Sequence, residues 1–410
     1  MEFGLFPMTS PTTPQLVTDN QRYHGLDALR AMAMMLGVVL HVALYFQESN
    51  PDEIWPVRDV ERSALAGFLS IMIHVFRMPL FFVMAGFFAA MMHGKRGSAG
   101  FVGNRFFRIA VPLVVGWFIL YPLVKAAFGF AFIHAEGLDI STSLGMAIGG
   151  MVSEGPWSDP HPIHLWFLYY LLILYVCLLA AGLMLRLIPP LGRAWERCAE
   201  VCTRSPLRLP ILIAATFGLL CMMEGPGVDT PSDFIPRPRI LIYYGLYMIV
   251  GWAMWNNRRV IEELHRGCWL RFLPGFLLLL VTVVLTIAYY MQQAESGWTS
   301  KNHLLFYITQ AAVAITNWLV ILGAIGIAER IMRRHHPVIR YLVDASYWIY
   351  LAHLPLSVFI PALFRNWQIN GTLKMFIMMI LVTIPLLLTW QLIMGIVPSR
   401  RSNGVAASSK

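Results

Sequence analysis

Residues 76–88 read FRMPLFFVMAGFF. Arg77 and Pro79 interrupt a run otherwise made of Phe, Leu, Met, Val, Ala and Gly, and the meaning of the arginine depends on what surrounds the run. The chain has 410 residues, 58% of them hydrophobic and only 13% charged, whereas a soluble domain is about one quarter charged. Apolar runs of about 20 residues, the length that crosses a hydrocarbon core of about 30 Å, recur along the whole sequence. They cover 28–46, 65–92, 109–129, 163–185, 209–223, 240–255, 272–291, 304–327, 346–364 and 375–397. The sequence therefore predicts an all-α, polytopic membrane bundle of about ten transmembrane helices. A polar tail at 1–21 precedes the membrane domain at 22–397, and a second tail spans 398–410.

Cationic residues alternate from loop to loop as lysine and arginine retained on the inner face would. The inner set is Arg22; Lys95, Arg96, Arg105 and Arg108; the arginines from Arg186 to Arg208; Arg258, Arg259, Arg266 and Arg271; those from Arg330 to Arg340; and Arg400, Arg401 and Lys410. The outer set is smaller: Arg58, Arg62, Arg237, Arg239, Lys301, Arg365 and Lys374. Acids gather in the first two outer loops, among them Asp52, Asp59, Asp139 and Asp159. This pattern predicts that both termini are cytoplasmic and that the first span does the targeting, since residues 1–21 contain no apolar signal core. The net charge of +9 follows from the same asymmetry and from attraction to anionic membrane lipid, with no call for nucleic acid. Of the five cysteines, only Cys221 falls near the outer side, so no disulfide framework is expected. Cys198 and Cys202 are one turn apart without a neighbouring His, and no metal site is expected.

With the setting defined, each ionisable group inside a span can be weighed. An arginine in lipid costs several kcal/mol. Arg77 lies about twelve residues, or about 18 Å, from the outer start of its helix, too deep to reach the interface easily. No acid within the spans pairs with it, which favours a hydrated cavity that binds an anion or a developing negative charge. Pro79 lacks an N–H and frees the Val75 carbonyl, so a kink is expected beside Arg77. In the first span, Asp27 and Arg30 are three residues apart and form a natural pair at the inner boundary. His41 follows Arg30 by eleven residues, on the same stripe and about 16 Å further along the axis. One reading makes His41 a hydrogen-bonding group between helices; the other gives it chemistry. His164 and Trp166 open the fourth span, and Ser346, Tyr350 and His353 share one face of the ninth. Outer Trp55, Trp157 and Trp298 suit either the interfacial belt or a sugar platform. The glycine-rich segment 93–108, HGKRGSAGFVGNRFFR, reads as an inner loop whose cations and amides could meet phosphate, although retention of cations inside accounts for its composition equally well.

Five stretches resemble the membrane acyltransferase 3 family, in its glucan-modifying branch: LDALRAMAMMLGVVLH, FRMPLFFVMAGFF, NRFFRIAVPL, HLWFL and SYWIYLAHLPL. The resemblance runs from Tyr23 to about Val397. Many relatives carry Ser before the glycine of the second stretch, where this chain has Ala85, a difference of packing. The outer hydrolase-like domain of some relatives is not expected here. What the resemblance implies is transfer of an acyl group from cytoplasmic acyl-CoA, as co-substrate, to a carbohydrate hydroxyl outside. Succinyl-CoA is favoured over acetyl-CoA as donor, and an osmoregulated periplasmic glucan over O-antigen as acceptor. The expected location is the bacterial cytoplasmic membrane, and a homodimer is left open.

On this reading His41 is the general base, and Arg77 holds the oxyanion or the succinyl carboxylate. Arg30, Lys95, Arg96, Arg105 and Arg108 meet the CoA phosphates. His164, Trp166, Tyr350 and His353 bind or support the acceptor, while Asp27 shapes the donor entrance and Pro79 the local kink. A transporter for an anionic or sugar-like solute is the rival, since a buried Arg and His would also suit it. The sequence lacks the paired, matching broken segments of inverted-repeat transporters. A scaffold without chemistry is the third reading.

Overall fold

The computed structural model describes residues 23–48, 55–205, 207–296, 303–332 and 336–396. The two expected tails, Trp298 and the side chains of Cys198 and Cys202 lie outside what is described. Every regular element among the described residues is a helix, in the order α1 His24–Phe46, α2 Ala64–Arg105, α3 Val111–Ala135, α4 Ile140–Glu154, α5 Trp166–Leu187, α6 Pro189–Arg204, α7 Arg208–Leu220, α8 Pro238–Asn256, α9 Arg259–Arg266, α10 Cys268–Glu295, α11 His303–Ile331, α12 Pro337–Leu363 and α13 Gly371–Ile396. A π-helical turn, Phe106–Ala110, joins α2 to α3.

Among the described residues seven segments are long and apolar enough to cross a membrane, one of them the joined body Ala64–Ala135. Each of the ten apolar runs falls on a helix, but α7, with 13 residues, is about 20 Å long and shorter than a hydrocarbon core. Lipid explains the outer surface. Val115, Phe118 and Ile119 on α3, Leu277, Val281 and Val284 on α10, and Ile380, Ile384 and Leu388 on α13 are all exposed. Apolar stripes of that extent at helical spacing are stable against hydrocarbon and unstable against water. The protein is a multi-pass membrane protein.

Two expectations about α2 change. Residues 93–108 are helical, not a loop, so most of their amides are spent on intrahelical bonds and offer no cradle to phosphate. The backbone also stays helical through Pro79, and the break falls instead at Gly97, with φ 64° and ψ −176°. Glycine adopts that left-handed conformation without a Cβ clash, whereas Pro79 only deletes one hydrogen bond. α4 is a further helix that the apolar pattern did not signal; Asp139 caps it by accepting from Thr142 N at 3.0 Å.

The described core divides in two. One part gathers around α2, α5, α8 and α11 with the first half of α1; the other gathers around α3, α12, α13 and the second half of α1. α2 and α8 pack backbone to backbone, because a Cβ on Gly86 would lie 1.9 Å from Met248 O and one on Gly251 1.8 Å from Val83 O. Such approach is the means by which helices associate where no hydrophobic force separates them from lipid. α1 packs on both α2 and α12, so the seam between the two cores is lined by these three helices.

Prolines inside the helices leave carbonyls unpaired, and side chains from other elements take several of them. Pro355 cannot donate to Leu351 O, which accepts from His164 Nε2 at 2.9 Å. Pro122 cannot donate to Phe118 O, which accepts from Trp157 Nε1 at 3.1 Å. Pro112 cannot donate to Arg108 O, which accepts from Tyr347 Oη at 2.9 Å. The freed carbonyls thus tie α12 to α5, α3 to the loop after α4, and the π-turn to α12.

Asp59 and Lys374, counted among the outer-loop charges, are instead buried together. Lys374 Nζ lies 2.8 Å from Asp59 Oδ1, with both side chains fully inaccessible, and also donates to Arg365 O at 2.9 Å. Ser63 and Thr372 share a hydrogen bond of 2.7 Å beside them. Residues 55–63 are thereby latched to the turn between α12 and α13.

Candidate active site

The seam between the cores carries the polar groups that a membrane interior otherwise excludes. Arg77 on α2 is 5% exposed and donates from Nε to Ala33 O of α1 at 3.0 Å. Its other edge lies against Gly37, one turn along α1, where an added Cβ would sit 2.7 Å from Nη2. No acid among the described residues pairs with it; its guanidinium carbon lies 5.8 Å from the Phe81 ring centroid. A glycine at 37 is what leaves room for the guanidinium.

Three imidazoles stand next to it. The His41 and His353 ring centroids are 5.1 Å apart, and those of His353 and His164 are 5.0 Å apart. α1 supplies the first, α12 the second and the short 3₁₀ turn Ile163–Leu165, just before α5, the third. Tyr350 Oη donates to His164 O at 3.0 Å, and its ring lies 5.7 Å from the His164 ring. Trp55, from the latched segment, stacks on His41 at 5.6 Å and 24°. It is buried, neither a belt residue nor an exposed platform. The Nδ1 atoms of His41 and His164 and the Nε2 atom of His353 are buried with no hydrogen-bond partner among the described residues. Trp166 stands off from this group and packs on Tyr170 and Tyr244. Pro79 is buried in α2, two residues past Arg77.

The remaining candidates lie toward the end of α1 marked by Arg30. Arg30 Nη2 is 3.3 Å from Asp27 Oδ1, and its guanidinium lies 5.3 Å from the Phe88 ring centroid. Arg105 reaches the same Phe88, donating to its carbonyl at 3.5 Å, and lies over Tyr175 at 4.9 Å and Phe101 at 5.1 Å. Lys95, Arg96 and Arg108 are exposed. Arg105 Nε and Arg186 Nη2 are buried donors with no partner among the described residues. Two unspent guanidinium donors at one end suit a phosphate or another anion.

Sequence reasoning missed Gly37 and His74, three residues before Arg77, whose Nε2 lies 3.3 Å from Thr230 Oγ1, and it read Trp55 as a belt residue or a sugar platform without its place against His41. The periodicity of α1 could have flagged Gly37, which lies one turn before His41. Nothing local marks Trp55 or Thr230, which arrive from loops. Among the described residues no set of His, Cys, Asp or Glu is arranged to hold a metal ion, and the adjacent guanidinium would repel one.

A multi-pass helical bundle with a guanidinium and bare imidazole nitrogens at its buried seam has the parts for proton transfer and for stabilising negative charge within a membrane. The acyltransferase domain family model matches residues 23–393, and the chain belongs to that family, acyltransferase 3. It is a membrane acyltransferase. It is also similar to proteins named glucans biosynthesis protein C from Escherichia coli O139:H28 (strain E24377A / ETEC) and from Shigella dysenteriae serotype 1 (strain Sd197). Each is 23% identical over 368 residues, which cover 85% of this chain and 86% of the relative. No solved structure matches the chain.

Proposed function

We propose that the protein is an acyl-CoA-dependent O-acyltransferase of the bacterial cytoplasmic membrane, with both termini inside. It transfers a succinyl group, in preference to acetyl, to hydroxyls of a periplasmic or cell-surface glycan, an osmoregulated glucan above others. The observation that carries this reading is the buried Arg77 guanidinium one helical turn from His41, with no acid among the described residues to neutralise it. A permanent positive charge without a counter-ion in a low-dielectric seam is suited to a negative charge that exists only during reaction.

In this mechanism Arg30, Lys95, Arg96, Arg105 and Arg108 hold the CoA phosphates at the cytoplasmic end, and Arg186 joins them through its unspent Nη2. The uncharged pantetheine arm extends along α1 toward Gly37, while Asp27 keeps Arg30 directed at the entrance. From the other side the sugar hydroxyl approaches His41 past Trp55, and His164 and Tyr350 shape that approach. His41 takes the hydroxyl proton, the oxygen attacks the thioester carbon, Arg77 stabilises the resulting oxyanion, and its collapse breaks the C–S bond, so that CoA leaves as the thiol with the proton taken from the hydroxyl. Support for glycan as acceptor comes from the names of the relatives; support for an acyl donor comes from the family.

The test is purified protein reconstituted in lipid with succinyl-CoA or acetyl-CoA and a glucan acceptor. Release of free thiol that depends on added glucan, with the acyl mass appearing on the sugar, is the expected result. Uptake of solute into vesicles without thiol release would instead establish a transporter.

A further inference from the structure

A neutral imidazole has one N–H and one bare nitrogen, and an adjacent carbonyl can decide which is which. His353 Nδ1 lies 2.7 Å from Tyr350 O and 3.1 Å from Ile349 O. Carbonyl oxygens only accept, so Nδ1 carries the hydrogen and Nε2 carries the lone pair. That Nε2 is buried and has no hydrogen-bond partner among the described residues. It also has a defined address. A Cβ on Gly37 would lie 2.7 Å from Arg77 Nη2 and 3.5 Å from His353 Nε2. Gly37 is one turn, about 6 Å, from His41 toward the Arg30 end. His353 Nε2 therefore stands beside the guanidinium, on the donor side of the His41 ring.

We propose that His353 is a second catalytic residue of the acyl transfer, the acid that protonates the departing thiolate. The inference rests on the acyl-transfer reading of the site. As the acceptor oxygen bonds to the thioester carbon, its O–H bond breaks and the proton goes to His41. The centroid separation of 5.1 Å is one that a ring rotation converts into an N–H···N contact, so the proton passes from His41 to His353 Nε2. When the tetrahedral intermediate collapses, the C–S bond breaks and its electron pair leaves on sulfur. His353 Nε2 then gives its proton to the sulfur and returns to the starting tautomer. One proton has moved from hydroxyl to thiol, and no outside acid is needed. The direction is favourable, because a thiol holds its proton to about pH 8.5 and an imidazolium to about pH 6.5. Burial also raises the cost of leaving the thiolate charged.

The experiment compares two donors on the full-length protein in lipid: acyl-CoA, and the selenoester of the same CoA, whose selenolate leaves without needing a proton. His353→Asn keeps an amide N–H for the Tyr350 and Ile349 carbonyls and deletes Nε2; His353→Gln carries the same comparison should the Asn variant unfold on thermal melting. The expected result is a fall in kcat of about 10²-fold or more with the thioester, KM for the donor unchanged, and a loss of less than about tenfold with the selenoester. His41→Ala should lose both donors alike. Equal losses on the two donors in a folded His353 variant, or no loss on either, would overturn the role of His353 while acyl transfer stands. No transfer by the wild type from either donor would overturn the acyl-transfer reading and the inference with it.

Discussion

The arginine at position 77 is tolerated in a membrane interior because other parts of the chain make room for it and hold one edge. Ala33 O takes Nε, and Gly37 leaves space for the Nη side. Lysine at 77 would keep the charge but lose the fixed planar fork, so Arg77→Lys is expected to lower kcat by about 10²- to 10³-fold, the loss typical of one oxyanion donor. Single-turnover acyl transfer checks it. Gly37→Ala pushes a methyl to within 2.7 Å of Nη2 and should displace the guanidinium. The expected outcome is a kcat reduced by about tenfold or more, at one helical turn from a fixed oxyanion site, with little change in thermal unfolding. Arg77 and His41 were legible in the sequence since a charge or an imidazole inside an apolar run is conspicuous by its local cost. Gly37 was not, and Trp55 was legible only as a belt residue or sugar platform, because what makes each necessary belongs to a different helix or loop.

At the scale of elements, helix ends and periodicity carried much information, and tertiary contact overrode it where glycine and proline intervened. The segment 93–108 looked like a loop by its glycines and cations, yet it continues α2, with Gly97 absorbing the change of direction. Proline positions were readable as places where a carbonyl would be freed, but the donor that fills each vacancy comes from far along the chain. His164 is such a donor, and His164→Ala leaves Leu351 O unsatisfied in a buried setting. A loss of about 1–3 kcal/mol of stability is expected, read by thermal or denaturant unfolding in a fixed detergent. A reduced activity should accompany it, since the same bond orients the α12 helix that carries His353.

For the molecule as a whole, the pair Asp59–Lys374 fastens the segment bearing Trp55 to the far end of the bundle. Removing one partner strands a buried charge, so Asp59→Asn is expected to cost about 3–5 kcal/mol. The double change Asp59→Asn with Lys374→Met should recover most of that, as a thermal-shift cycle would read.

The sequence by itself determined that this is a helical membrane protein of the acyltransferase 3 family and which ionisable groups lie within its apolar runs. Those are local properties: the transfer cost of a side chain and the 3.6-residue period act within one segment. Only the tertiary structure decided that Arg77, His41, His353 and His164 share one seam, that Trp55 closes on His41, that Asp59 meets Lys374, and which nitrogen of His353 is bare. Each of these depends on how helices distant in sequence approach one another, and that approach is set by backbone contacts such as Gly86 with Gly251, whose partners no single segment specifies.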